Sequence, residues 1–134
     1  MTEFDLSYGL NKVELPLIIT SERPNLCFLI DTGATHNLLF SYVIKAVERC
    51  LTYTGEIVRI SGIEAVEQDT QKVSMPLKFG NREVNVEFNL IDAIQAVLGV
   101  QQETGIQLHG ILGVPFLYEY KCVIDFNKHL LKLQ

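Results

Sequence analysis

The residues best suited to do chemistry are Asp31, Thr32 and Gly33. They follow directly on an apolar stretch, residues 26–30. Burying a carboxylate costs free energy, and Asp, Thr and Gly also favour ordinary turns, so a turn is the simplest alternative. The tripeptide alone arises by chance in roughly a few per cent of chains of this length, and an apolar strand before it with Ala34 after it reduces this to about one in a thousand or less. The extended motif is therefore specific, and Asp31 is the leading candidate for a catalytic carboxylate.

A carboxylate of this kind suggests one half of a hydrolytic site. Two carboxylates held close together can share one proton, so that one activates a water molecule while the other protonates the carbonyl oxygen of a peptide bond. The chain contains one Asp-Thr-Gly and no second Asp-Thr-Gly or Asp-Ser-Gly. Because a two-fold axis brings identical residues together, the second carboxylate is expected from Asp31 of a second copy. We therefore predict a homodimer.

The remaining candidates for chemistry lack partners at a suitable spacing. They are histidines, cysteines and serines: His36, His109, His129, Cys27, Cys50, Cys122, Ser41 and Ser61. Their spacing fits neither a metal site nor a disulfide framework, and neither serine lies in a nucleophile motif. We therefore expect no metal, no cofactor, buried free thiols, and histidines without a catalytic role. His36 alone is a candidate for the rim of a substrate site, because it follows Asp31 closely.

Most of the predicted elements are strands. Residues 13–19 alternate between apolar and more polar types, as in a half-buried strand, and Pro16 places that strand at a sheet edge. Residues 26–30 are apolar throughout, which predicts a strand covered on both faces. Alternation predicts an antiparallel meander in three further segments: residues 57–60, 73–79 and 84–90. Gly80 and Asn81 suit a hairpin turn between the last two.

Three segments are predicted to be helical. The first is residues 41–51, with Ser41 as its cap and an apolar face at helical spacing. The second is residues 92–104, where Asp92 opens the helix as part of a capping box. The third is a short helix through residue 120 with Pro115 in its first turn, where the missing amide hydrogen is not needed.

The composition restricts the classes of function. The chain has 134 residues, 48% of them apolar and 20% charged, which fits one domain spanning residues 1–134. The formal net charge is −5 and the eleven Lys and Arg are scattered, so no surface for nucleic acid is indicated. The apolar runs are too short to cross a bilayer, and the acidic start is unlike a secretory signal. We therefore expect no nucleic-acid or membrane partner and a cytoplasmic location.

The apolar strand followed by Asp-Thr-Gly-Ala at residues 31–34 resembles the signature of the aspartic protease family, in particular of its single-domain retropepsins. A second segment, residues 110–113, is similar to the apolar pair with glycine that passes behind the active-site loop in this fold. The resemblance extends over nearly the whole chain, with the helices at residues 41–51 and 92–104 as insertions. It implies an all-β-dominated acid-protease fold, a retropepsin-like closed barrel with one or two inserted helices.

The resemblance also implies roles for individual residues. Asp31, Thr32 and Gly33 would form the catalytic motif, with Thr32 bonding across the two-fold axis and Gly33 allowing a close approach of the backbone. A flap would have its tip near Gly62, in a segment that is more acidic and poorer in glycine than the viral flaps. The residues expected to contact substrate are Ala34, Thr35, His36, Ser61, Gly62, Ile63 and Leu112.

The end of the chain resembles the terminal hairpin of cellular retropepsin-like proteins more than the short viral tail. Its predicted strands are residues 122–126 and 130–133, with a turn at Asn127 and Lys128. In the viral enzymes the two chain ends interleave, whereas a hairpin that folds back on its own domain leaves a different surface for pairing. The resemblance therefore predicts a dimer without fixing its interface.

The predicted function is an aspartic endopeptidase that hydrolyses a polypeptide substrate with a water molecule activated by two Asp31 carboxylates across a homodimer. Two alternatives stay open. One is a catalytically idle protease-fold dimer that binds extended peptides, and the other is a monomer that is inactive until it assembles. The flap separates cleavage from binding, because a flap that closes poorly leaves a groove that pairs with a strand without cleaving it.

Overall fold

A computed structural model describes residues 1–61 and 67–134. Within those ranges the strands are β1 (Thr2–Asp5), β2 (Leu17–Ile19), β3 (Cys27–Ile30), β4 (Leu38–Phe40), β5 (Thr52–Ser61), β6 (Glu67–Phe79), β7 (Arg82–Ile91), β8 (Gly110–Leu112), β9 (Val123–Asp125) and β10 (Leu130–Leu133). The helices are α1 (Ser7–Val13), α2 (Ile44–Val47), α3 (Ile94–Thr104) and α4 (Val114–Glu119), with 3-10 turns at Ser41–Val43 and Glu48–Cys50. The predicted β-dominated fold with inserted helices is confirmed.

The larger sheet has the strand order β2-β3-β8-β4-β7-β6-β5. Its centre is formed by β8, which pairs in parallel with β3 and antiparallel with β4. The two strands on either side of β8 are therefore consecutive in sequence, and the connection between them, residues 31–37, must loop across the end of β8. This arrangement fixes the position of the Asp-Thr-Gly segment, because that segment is the beginning of the connection.

The antiparallel meander predicted from alternation is confirmed. β5 pairs with β6 and β6 with β7, and the apolar positions Val84, Val86 and Phe88 of β7 are buried while the residues between them, 85 and 87, are exposed. Gly80 has φ of 62°, which the hairpin turn before Asn81 requires and which glycine adopts without a steric penalty. β7 also pairs in parallel with β4, so the meander is continuous with the centre of the sheet.

The smaller sheet consists of β1, β10 and β9 in that order, all antiparallel. The predicted terminal hairpin is therefore confirmed, and it folds back on its own domain. The two sheets share one apolar core: Leu131 and Leu133 are fully buried, and the rings of Phe4 and Phe79 lie 5.3 Å apart. Among the described residues, this packing and not strand pairing joins the two sheets.

The predicted strand at residues 13–19 is correct only at its end, in β2, which lies at the edge of the larger sheet as Pro16 indicates. Val13, the first residue of the predicted strand, instead lies in the last turn of α1, and residues 14–16 connect α1 to β2. Leu6, Leu10 and Val13 recur at helical spacing and pack into the core, and this burial outweighs the alternation that begins at Val13. The helix ends at Glu14, which adopts the left-handed conformation with φ of 58°.

The continuous helix predicted at residues 41–51 is wrong. The segment is a 3-10 turn, one turn of α-helix and a second 3-10 turn, and Ser41 makes no capping hydrogen bond with its side chain. Val43 and Val47 are buried, and β-branched residues such as these lose side-chain freedom in a helix, which lowers the helix propensity of the segment. Burial of these residues therefore determines the path of the chain without a regular helix.

The later helices agree better with the sequence. α3 ends at Gly105, whose φ is 75°, and Pro115 occupies the first turn of α4. The capping box predicted for α3 is wrong in detail, because the capping position belongs to Ala93. Asp92 instead accepts a hydrogen bond from the Ile94 N–H at 3.4 Å.

No helix in residues 1–61 and 67–134 is long and apolar enough to cross a membrane.

Candidate active site

Asp31 begins the loop that crosses the end of β8, directly after β3. Its N–H donates to the Leu112 carbonyl oxygen at 3.0 Å, which continues the pairing between β3 and β8 by one residue. Its carboxylate oxygen Oδ1 accepts the Gly33 N–H at 2.8 Å, and its carbonyl accepts the Ala34 N–H at 3.2 Å. The carboxylate is partly exposed, and its orientation is set by the backbone of its own loop.

Two glycines, one within this loop and one behind it, occupy positions where a Cβ atom would crowd neighbouring oxygen atoms. A Cβ at Gly33 would lie 3.3 Å from the Asp31 Oδ1 atom, inside ordinary contact distance. A Cβ at Gly113 would lie 2.6 Å from the carbonyl oxygens of both Ala34 and His36. The Val114 N–H also donates to Ala34 O at 2.9 Å. The segment at residues 110–113 therefore passes directly behind the loop, as the sequence predicted.

Asn37 fastens the far end of the loop and was missed by the sequence analysis. Its Oδ1 accepts the N–H groups of Gly113 and Phe116, at 2.9 and 3.3 Å. Its Nδ2 donates to Glu87 O at 3.1 Å, and its own carbonyl accepts the Asn89 N–H at 2.9 Å. One buried side chain therefore joins the loop to the start of α4 and to β7.

The structure brings most of the predicted substrate-contacting residues together. Ala34, Thr35, His36 and Ser61 line a cavity of about 230 Å³ in front of Asp31, which Ile60 closes on the other side. Thr32 is exposed. The predicted contacts at Gly62 and Ile63 lie outside the described residues.

The prediction for Leu112 is wrong. Its side chain is fully buried in the core, and it contributes to the site only through the carbonyl that holds the Asp31 N–H. The neighbouring Ile111 lines the cavity instead, because successive residues of a strand point to opposite faces.

A second cavity, also about 230 Å³, opens on the other side of Asp31. Its walls other than Asp31 are apolar: Leu29, Phe40, Ala96, Val97, Val100, Leu108 and Ile111. Three of these residues belong to α3, so the inserted helix supplies one wall. Asp31 and Ile111 border both cavities, which makes them neighbouring parts of one groove.

His109 holds a structural position in the strands below the site. Its ring Nδ1 accepts the Cys27 backbone N–H at 2.8 Å, and the backbone N–H of His109 donates to Cys27 O at 2.9 Å. Burial lowers the pKa of His109 below its ordinary value of 6.5. Nδ1 must be unprotonated to accept this hydrogen bond, so the neutral imidazole is part of the fold.

This arrangement predicts a loss of stability in mild acid. The pKa of His109 is lower in the folded protein than in the unfolded chain, so the unfolded chain takes up the proton more readily. The contribution of His109 to the free energy of unfolding is therefore complete above about pH 6.5 and is lost as the pH falls from there through the lower pKa of the folded protein. His109→Asn retains an acceptor at the position of Nδ1 without a titratable ring. Unfolding in denaturant across this pH range should therefore show a smaller loss for His109→Asn than for the wild type.

His129→Asn is the matched control, since His129 has φ of 56° and asparagine tolerates that conformation. It should leave the acid-dependent loss in place. Equal pH dependence in the wild type and His109→Asn would remove His109 as its source.

Among residues 1–61 and 67–134, no group of three or more His, Cys, Asp or Glu side chains is arranged to hold a metal ion.

Comparison with solved structures identifies the fold. No protein-family model and no curated protein matches the sequence. The structure is similar to the crystal structure of the retroviral protease-like domain of Ddi1 from Leishmania major, with a TM-score of 0.53 and 15% sequence identity over 90% of this chain and 84% of that chain. The fold is therefore retropepsin-like.

Proposed function

We propose that the protein is an aspartic endopeptidase in which two copies each contribute Asp31 to one site. The observation that carries this proposal is the position of the Asp31 carboxylate. It lies between an apolar cavity and a mixed cavity, and its orientation is fixed by the Gly33 N–H in a loop held from behind by β8. A partly exposed carboxylate held in this way can exchange protons with a substrate and a water molecule.

The chemistry requires both carboxylates. One, ionised, takes a proton from a water molecule, whose oxygen attacks the peptide carbonyl carbon. The other, protonated, gives its proton to the carbonyl oxygen, so that a neutral tetrahedral intermediate forms. Collapse of the intermediate breaks the C–N bond as the newly protonated carboxyl gives its proton to the leaving nitrogen, while the other carboxylate takes the proton of one hydroxyl, which becomes the carbonyl of the new acid. The pair then holds one proton again, and no covalent bond to the protein is formed.

The substrate that fits the groove is an extended polypeptide. An apolar side chain next to the cleaved bond would occupy the cavity walled by α3, which offers apolar surface and few hydrogen-bonding groups. The other side of the groove, bordered by Thr35 and Ser61, is more polar and suits the backbone of the peptide. The proposed substrate class is therefore a polypeptide with an apolar residue at the cleaved bond.

The surface proposed for pairing lies on α4 and β9. Val114 and Tyr118 are four residues apart on one helix face and are 44% and 70% exposed. Val114 adjoins the active-site loop through its hydrogen bond to Ala34, so this face lies beside the axis on which two Asp31 loops would meet. β9 ends the strand order of the smaller sheet, and Val123 in it is 47% exposed.

Tyr118→Asp tests this pairing. A charge on an apolar face beside the two-fold axis would have to be buried once in each copy, so dimerisation should weaken and, with it, peptide cleavage by at least about tenfold at low micromolar protein. Sedimentation and cleavage of a fluorogenic peptide are measured on the same samples. Tyr53→Asp, at an exposed tyrosine of β5, is the control and should keep both mass and activity.

Wild-type activity per chain should also fall on dilution through the dissociation constant. An active monomer, or a Tyr118→Asp variant that stays dimeric and active, would contradict the proposed interface.

A further inference from the structure

A third cavity, of about 430 Å³, lies beyond His36 on the outer face of the meander. We call it the polar cavity. Its walls include Asn85, Glu87 and Asn89 of β7 and Glu119 of α4. His36 borders both the polar cavity and the cavity in front of Asp31. The groove therefore continues past the candidate active site into a region of different chemistry.

The side-chain amide of Asn89 presents a hydrogen-bond acceptor that needs a donor from the polar cavity. The Thr70 hydroxyl donates to Val58 O at 2.7 Å, so its oxygen is left to accept from the Asn89 Nδ2 at 3.2 Å. This network fixes the amide orientation and leaves the Asn89 Oδ1 atom as an acceptor without a donor among the described residues. Asn89 is only 4% exposed. Every side-chain nitrogen or oxygen of the described residues that is shut off from solvent has a hydrogen-bond partner, so an Oδ1 atom without a donor must be accessible to solvent. The oxygen is therefore reached from the polar cavity.

The neighbouring groups are also acceptors. Asn85 uses its Nδ2 to donate to the Ser74 hydroxyl at 2.8 Å, which leaves its Oδ1 available. Glu87 and Glu119 add two carboxylates. The one lysine in the wall, Lys72, is paired with Glu56 at 3.1 Å. The wall thus carries two carboxylates and one lysine that is already paired, and a ligand that carries a positive charge and several N–H donors would complement it.

We propose that the polar cavity binds a lysine or arginine side chain of the polypeptide substrate, displaced along the chain from the cleaved bond. This inference rests on the proposed function, because it takes the peptide over Asp31 as the molecule that delivers the side chain. Alternate side chains of an extended peptide point to the same side about 6.4 to 6.8 Å apart. A peptide that places an apolar side chain beside Asp31 can therefore place a basic one beyond His36.

The test compares peptides that differ only by Lys, Met or Glu at each position away from the cleaved bond. The wild type should cleave the Lys peptide with a kcat/KM at least about tenfold higher than the Met peptide at one such position, as a charge-assisted hydrogen-bond pair would give. Glu87→Lys should reverse the preference toward Glu. Glu83→Lys, the same charge change on the same strand outside the polar cavity, should keep the wild-type preference.

Binding to the Asp31→Asn protein separates this inference from the proposed function, because it needs no cleavage. Fluorescence anisotropy with the same labelled peptides should show tighter binding of the Lys peptide, and the preference should be lost when Glu87→Lys is added. If the wild type cleaves peptides but no position favours a basic residue, the proposed binding of a basic side chain is overturned and the proposed protease function is retained. If nothing is cleaved but the Lys peptide still binds more tightly, the proposed protease function is overturned and the proposed binding of a basic side chain is retained. Absence of both preferences, or an equal effect of Glu83→Lys, overturns the inference.

Discussion

Asp31→Asn is expected to reduce kcat/KM for peptide cleavage by at least about a thousandfold. A positioned acid or base contributes roughly 10² to 10⁴ in rate, and in a symmetric dimer this substitution removes both carboxylates at once. The asparagine cannot take a proton from water. Its Oδ1 can still accept the Gly33 N–H, so the loop should keep its shape.

The measurement therefore pairs a cleavage assay with thermal unfolding. The variant should unfold at the same temperature as the wild type or higher, because two like charges no longer face each other. Asp69→Asn, at an exposed aspartate that contacts Arg59 at 3.3 Å, is the control and should keep full activity. Retention of more than about a tenth of the activity in Asp31→Asn would exclude it as the general base.

Asn37→Ala is expected to have the largest effect on stability, with a loss of about 3 to 6 kcal/mol in the free energy of unfolding. It leaves the Gly113 and Phe116 N–H groups without their acceptor and the Glu87 carbonyl without a donor. Each unsatisfied buried group costs roughly 1 to 3 kcal/mol, and water entering the space recovers part of this. Denaturant unfolding at neutral pH measures the difference.

Asn85→Ala is the control for this prediction, since Asn85 is exposed and makes one side-chain hydrogen bond, to Ser74. It should cost less than about 1 kcal/mol. Similar losses in the two variants would mean that Asn37 is not the fastening point of the active-site loop.

Local patterns were sufficient to predict the elements that frame the site. The apolar run before Asp31, the glycines at 110 and 113, the turn at Gly80 and the start of α4 at Pro115 each require a particular backbone conformation or close packing, and the structure agrees with each. The helix α1 was also present as a pattern in Leu6, Leu10 and Val13, but the competing alternation after Val13 obscured it.

The residues that hold the site together could not be predicted in this way. The three partners of the Asn37 side chain are 50, 76 and 79 residues away in sequence, and Cys27 is 82 residues from His109. Such contacts exist only after β8 has been placed between β3 and β4. A single asparagine or histidine carries no periodic signal, so its role follows from topology.

The cavities depend on the same long-range arrangement. The apolar cavity combines α3 with β3 and β8, and the polar cavity combines β7 with α4. The sequence predicted these elements separately, but their distances from one another depend on the pairing order of the sheet. The two proposed binding preferences of the groove are therefore consequences of the fold.

The central claim is that one complete site takes Asp31 from each of two chains, and mixing chains tests it directly. Wild-type protein is unfolded and refolded together with a ninefold excess of Asp31→Asn, and peptide cleavage is measured per wild-type chain. Random pairing leaves about one wild-type chain in ten with a wild-type partner, so activity per wild-type chain should fall to about a tenth. Unchanged activity per wild-type chain would show that a single chain contains the whole site, and it would contradict the account.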